Sequence, residues 1–115
     1  MHEVSLGEAI LDAVERRAAG RKVRRVKVRV GTLHRVVGPA LDQGWELVSE
    51  GSVAAGAPIE MVTIPVTVTC RSCGEHHHSE DMAFQCESCG SLEVDVEGGE
   101  ELILESLELE DEEEV

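Results

Sequence analysis

Tyrosine is absent from this 115-residue chain, and phenylalanine and tryptophan occur once each. A core must therefore be assembled from Val, Leu, Ile and Ala, and a chain of this length buries roughly two-thirds of its unfolded surface. No apolar run approaches the ~20 residues of a membrane-spanning helix. The start of the chain also lacks a basic stretch followed by an apolar one, so neither a membrane anchor nor a signal peptide is expected. These absences point to a cytoplasmic protein, in a compartment that keeps thiols reduced, where four cysteines favour metal over disulfides. There is no Gly-Lys-Ser/Thr phosphate loop, and no Ser/His/Asp set or clustered carboxylate pair recommends a hydrolase. The chain is therefore not expected to be an enzyme.

Positive charge is missing from the second half. Residues 1–50 carry nine Lys/Arg against seven Asp/Glu, a net of +2; residues 51–115 carry one against seventeen, a net of −16. Neutralising phosphates needs a cationic footprint. Only the cluster from Arg16 to Arg35 offers one, so nucleic acid is disfavoured as a partner and the acidic half reads as a solvated or protein-facing surface.

Leu6, Ile10, Ala13, Val14 and Ala18 fall on one helical face. Ser5 with Glu8 fits a capping box and Gly20 a helix stop, so a first helix is expected over residues 5–19, with the preceding residues just outside it. Lys22 to Val30 reads as a strand, Val26, Val28 and Val30 alternating with Lys27 and Arg29. Pro39 suits the first position of a second helix running to Glu50, with Leu41, Trp45 and Val48 buried; Gly44 weakens that helix. Residues 59–69 read as a second strand, with Pro65 marking an edge or bulge. Leu92, Val94 and Val96 make a short strand. Leu102 to Leu109 make a longer one, whose alternation slips by one between Leu104 and Leu107, as at a bulge.

Pairing residues 59–69 with 101–110 leaves the cysteine segment projecting from the end of the pair. The expected fold is α+β, a small mixed sheet with two helices on one face plus an inserted zinc-ribbon module. Residues 1–69 and 91–110 make a discontinuous α/β domain, 70–90 the module, and 111–115 a disordered acidic tail.

Two features carry chemistry. Cys70-Arg-Ser-Cys73 and Cys86-Glu-Ser-Cys89 are C-x-x-C knuckles separated by twelve residues, each followed by a glycine. Four thiolates in a tetrahedron suit a closed, structural Zn(II) site; iron–sulfur or redox chemistry is the alternative. Between the knuckles runs His76-His77-His78, read as a solvated loop in which one or two imidazoles can share a weak ion but three cannot. At the other end, the Met1 amine, the His2 amide and the His2 imidazole can close fused chelate rings, with the Glu3 amide as a fourth nitrogen. Square-planar nitrogen donors suit Ni(II) or Cu(II); an ordinary chain end is the plain alternative.

Met1-His2-Glu3, Ser5-Leu6 opening a helix, the Val30-Gly31 strand end, the Gly51-Ser52-Val53-Ala54 loop and the paired knuckles together resemble the HypA family, across the chain to about Leu109. That resemblance implies a nickel metallochaperone of [NiFe]-hydrogenase maturation and, in some organisms, of urease. His2 is then the nickel ligand, Met1 and Glu3 supply main-chain nitrogens, and Cys70, Cys73, Cys86 and Cys89 hold zinc. The implied partners are a nickel-handling maturation GTPase and the hydrogenase large subunit. The family often has an acidic residue six positions after the glycine that ends the first long strand; here that position is Val37, which favours four-nitrogen binding. His34 lies in the same connection. A zinc-ribbon adaptor or regulator without a nickel role is the alternative reading.

Overall fold

The structure is a computed structural model that describes residues 2–110. Its elements are α1 (His2–Ala18), β1 (Val23–Gly31), a short 3-10 turn (Thr32–His34), α2 (Gly38–Ser49), β2 (Ile59–Ile64), β3 (Val66–Cys70), β4 (His76–Ser79), β5 (Val94–Glu97) and β6 (Leu102–Leu109). The class is α+β. Among the described residues, no helix is long and apolar enough to cross a membrane. The expected acidic tail, 111–115, lies outside the described residues.

The chain divides into two compact units. One comprises residues up to 29, 36–62 and 103 onward; the other comprises 30–35 and 63–102. The second unit is wider than the 70–90 segment delimited by the cysteines, because β3 and β5 pair antiparallel outside the two knuckles, with Val68 opposite Val96 and Cys70 opposite Val94.

In the first unit, Ile10, Val14 and Ala18 of α1, Leu41 and Trp45 of α2, Val23, Val26 and Val28 of β1, and Leu107 and Leu109 of β6 are buried. The Trp45 indole donates to the Ala57 carbonyl at 2.8 Å, which satisfies its one polar atom inside this core. The alternation expected along β1 holds, with Val26 and Val28 inward and Arg29 exposed. The cations of β1 face carboxylates: Lys27 meets Glu105 at 3.0 Å, Arg24 meets Glu108 at 3.7 Å, and Arg25 pairs with Glu60. Much of the basic cluster is thus neutralised within the chain. Glu105 and Glu108 both reach β1, three positions apart, in keeping with the slip of alternation between Leu104 and Leu107.

Four local expectations are corrected. The helix α1 starts at His2, not Ser5, so Ser5 is not its cap. The reason is tertiary: a Cβ on Gly44 would lie 3.2 Å from the Glu3 carbonyl oxygen and 3.3 Å from the Val4 nitrogen, so this glycine lets the first turn of α1 rest on α2. Residues 59–69 are not one strand; β2 and β3 belong to two different three-stranded sheets, ordered β2-β1-β6 and β4-β3-β5, and the chain changes sheet at Pro65, which has no N–H to continue a ladder. Strands β2 and β6 do not pair, because β1, the more deeply buried strand, lies between them. Finally, His76-His77-His78 is not a loop but most of β4.

Candidate metal centres

The four cysteines sit at the ends of two turns with the same geometry. Gly74 N–H donates to the Cys70 carbonyl and Gly90 N–H to the Cys86 carbonyl, both at 3.0 Å, and the two glycines have φ of 81° and 78°. That left-handed conformation is what permits the chain to turn back after each knuckle. Amides also point at sulfur. Ser72 and Cys73 N–H lie 3.3 and 3.4 Å from Cys70 Sγ, and Cys89 N–H lies 3.5 Å from Cys86 Sγ. Ser72 Oγ and Ser91 Oγ, 3.1 Å apart, link the two turns.

All four sulfurs lie within 4.8 Å of one another. Across the knuckles, Cys70 Sγ is 3.7 Å from Cys89 Sγ and Cys73 Sγ is 3.6 Å from Cys86 Sγ. A tetrahedron with metal–sulfur bonds of about 2.3 Å has edges of about 3.8 Å, so the donors already stand at the spacing of a four-sulfur ion. Cys70 and Cys86 are buried and Cys73 and Cys89 exposed. The N–H groups of Cys73 and Ser72 pull the Cys70 thiol down to about 6, against burial. The Cys89 and Ser88 N–H groups likewise lower Cys86. Cys73 goes the other way. The Glu75 N–H lowers it, but partial desolvation of the sulfur and the three neighbouring sulfurs outweigh that and push it up to about 12. A cation held by these four sulfurs would replace this mutual repulsion with attraction and displace the remaining protons.

At the N-terminal end, the first turn of α1 carries His2 and Glu3. The His2 side chain is 54% exposed and its Nδ1 lies 3.3 Å from Glu3 Oε1, while the Glu3 side chain is only 12% exposed. The Val37 N–H faces Glu3 Oε2 at 3.5 Å. Val37 is the residue before α2 and offers no side-chain cap, so the carboxylate that faces the start of α2 comes from α1. Burial opposes charge on Glu3, but its own N–H, that of Val37 and the neighbouring His2 outweigh burial and hold the pKa below the ordinary carboxylate value. Position 37 therefore stands beside Glu3. His34 instead has Nε2 against the Glu100 carbonyl, 2.9 Å away.

Gly44 was legible only as a weak point in a helix, and Gly7 not at all. In the structure both lie at the α1–α2 contact, where a Cβ on Gly7 would come 3.2 Å from Val48 Cγ2. Glycines inside apolar-periodic helical segments were the available signal. Among the described residues, the four cysteines are the one group of three or more potential ligands whose donor atoms converge.

Residues 1–109 match the family described as hydrogenase/urease nickel incorporation, metallochaperone, HypA. The hydrogenase maturation factor HypA of Desulfitobacterium hafniense is 36% identical over 114 residues, covering 96% of this chain and all of the relative. That of Rhodobacter capsulatus is 35% identical over 112 residues, covering 95% and 99%. Among solved structures, the solution structure of the Ni metallochaperone HypA from Helicobacter pylori superposes with a TM-score of 0.62 at 26% identity, covering 93% of this chain and 96% of that one. The family comprises metallochaperones and maturation factors, not enzymes. With relatives matched end to end and the four-cysteine cluster assembled as the spacing requires, the chain belongs to the HypA family of hydrogenase and urease nickel-incorporation metallochaperones.

Proposed function

We propose that this chain binds Ni(II) at its N-terminal Met1-His2-Glu3, delivers it in the cytoplasm during maturation of [NiFe]-hydrogenase, and carries a structural Zn(II) on Cys70, Cys73, Cys86 and Cys89. The observation that carries the nickel reading is that α1 begins at His2, with the exposed imidazole at the very start of the helix and Glu3 anchored behind it.

The first N–H groups of an α-helix have no carbonyl one turn earlier, so ionising the His2 and Glu3 amides takes no hydrogen bond from the body of the helix. A bare dication would be opposed by the positive end of the helix dipole. Two ionised amides cancel the charge of Ni(II), and the resulting planar four-nitrogen complex is neutral. Amine, amides and imidazole then close fused rings, which suits the square-planar preference of Ni(II). Val37 supplies no carboxylate, in keeping with an all-nitrogen donor set.

The sulfur spacing and a closed four-sulfur shell, which would leave no position for cargo, support zinc at the cysteines. Metal binding at such a site supplies on the order of 10 kcal/mol of folding free energy. Nickel delivery requires partners, and the family resemblance implies a nickel-handling maturation GTPase and then the hydrogenase large subunit. The test is titration of untagged, zinc-loaded protein with Ni(II). One tight equivalent with the absorption of planar diamagnetic nickel is expected, and it should vanish in His2→Ala. Tight binding that survives His2→Ala overturns the assignment.

A further inference from the structure

We propose that His76 and His78 form a second, surface metal site on the outer face of the β4-β3-β5 sheet, a two-imidazole chelate for a borderline divalent ion such as Ni(II) or Zn(II). This inference does not rest on the N-terminal reading and would stand if that reading failed.

The geometry comes from strand alternation. His76, His77 and His78 occupy successive positions of β4, so the first and third share a face and the second points away. Burial follows the same alternation, with His76 and His78 exposed, His77 partly buried and Ser79 buried. In the pairing with β3, His78 stands opposite Thr67 and His76 opposite Thr69, whereas His77 stands opposite the fully buried Val68. His77 is further occupied by the Ala83 carbonyl at 3.4 Å from its Nε2 and by Glu87 at 3.7 Å from its Nδ1.

Two residues apart on a strand, His76 and His78 have Cα atoms separated by about 6.6 Å. Two imidazoles on such a base can converge on one ion at nitrogen–metal distances of about 2.0–2.1 Å. His78 is also oriented. Its Nδ1 lies 3.3 Å from Thr67 Oγ1. With Nδ1–H donating to that hydroxyl, Nε2 keeps its lone pair and points outward, the arrangement by which metal-binding histidines are usually fixed. The neighbouring threonines are small enough to leave the space above the sheet open.

Charge on this face favours a cation. Glu97 and Asp95 of β5 lie opposite Thr67 and Thr69, in the same cross-strand rows as His78 and His76. Asp95 is shared with Arg71 at 3.5 Å, and Glu97 adds negative potential. The acids do not converge with the histidines as a third donor. The site is therefore a two-protein-ligand chelate completed by water, weaker than a planar four-nitrogen site and open for rapid exchange. Its order comes from the sheet, which is what separates it from a flexible run of histidines.

The test uses untagged, full-length, zinc-loaded His2→Ala protein, titrated calorimetrically with Ni(II) and separately with Zn(II). One additional saturable equivalent per chain is expected. His76→Ala and His78→Ala should each weaken it at least about tenfold, a loss of ~1.4 kcal/mol, while His77→Gln should leave it unchanged. Zinc content and far-ultraviolet circular dichroism of each variant report whether the sheet is intact. Thr67→Val gives a second readout, because a site oriented through that hydroxyl loses affinity while keeping its stoichiometry. Equal losses for all three histidine substitutions would show a flexible histidine run and overturn the proposal, as would the absence of saturable binding beyond the cysteine-bound zinc.

Discussion

The two units hold their proposed metal donors in opposite ways. In the cysteine unit the donors are set by local turns. Each knuckle repeats the same amide-to-sulfur contacts and the same left-handed glycine, and the four sulfurs stand near tetrahedral spacing. In the N-terminal unit contacts between distant residues add to the local one between His2 and Glu3. The turn that carries His2 and Glu3 is kept in place by packing of α1 on Gly44 and by the Glu3 carboxylate facing Val37 N–H, contacts made across more than thirty residues of chain. A closed set of four ligands suits an ion that stays; an exposed edge of nitrogens suits one that leaves.

The largest expected effect breaks the cysteine side of this comparison. Cys73→Ala should abolish stoichiometric zinc and, with the loss of on the order of 10 kcal/mol of metal-linked folding energy, unfold residues 63–102 more than α1 and α2. Elemental analysis with hydrogen exchange measures both. Retention of a full equivalent of zinc, or freshly prepared reduced wild-type protein devoid of it, would contradict the structural role.

Next comes the N-terminal side. His2→Ala, or one residue added ahead of Met1, should cost tight nickel binding at least about a hundredfold, or ~2.7 kcal/mol, without loss of zinc. Because protons compete for both the amine and the imidazole, nickel affinity should fall as pH falls below neutrality. Affinity that is flat from pH 7.5 to 6 would point to a different donor set.

A smaller effect sharpens the claim that tertiary packing holds the nickel end. Gly44→Leu places a side chain where even a Cβ comes within 3.2–3.3 Å of the Glu3 and Val4 backbone. It should displace the first turn of α1 and weaken nickel several-fold, while the cysteine site keeps its zinc. If thermal stability drops but nickel affinity does not, the contact between α1 and α2 supports the fold alone. The smallest effect is none: deleting residues 111–115 should leave nickel affinity unchanged, and a tenfold loss, ~1.4 kcal/mol, would place a ligand in that segment.

The histidine run shows how the comparison extends to what was legible. A histidine run in a solvated loop would lose to an N-terminal chelate through the entropy of ordering it. As part of β4 it is already ordered. Under the proposed function, the advantage of an N-terminal chelate would come from four fused nitrogen donors against two imidazoles, not from the cost of fixing a loop.

Period and spacing determined much of this protein. The 3.6-residue repeat identified both helices, the alternation of Val26 and Val28 with their charged neighbours identified β1, and the two C-x-x-C motifs named the four cysteines that converge, because each of these signals lies within a few residues of chain. What the sequence could not carry was decided by contacts between distant residues. Burial of β1 between β2 and β6 separated two strands expected to pair. Pairing of β4 with β3 turned a histidine loop into an ordered edge. The absence of a side chain at Gly44 let α1 begin at His2, three residues ahead of its apparent capping box. Local propensity is a preference of about 1 kcal/mol or less per residue, small enough that a single close packing contact or a shared strand edge overrides it.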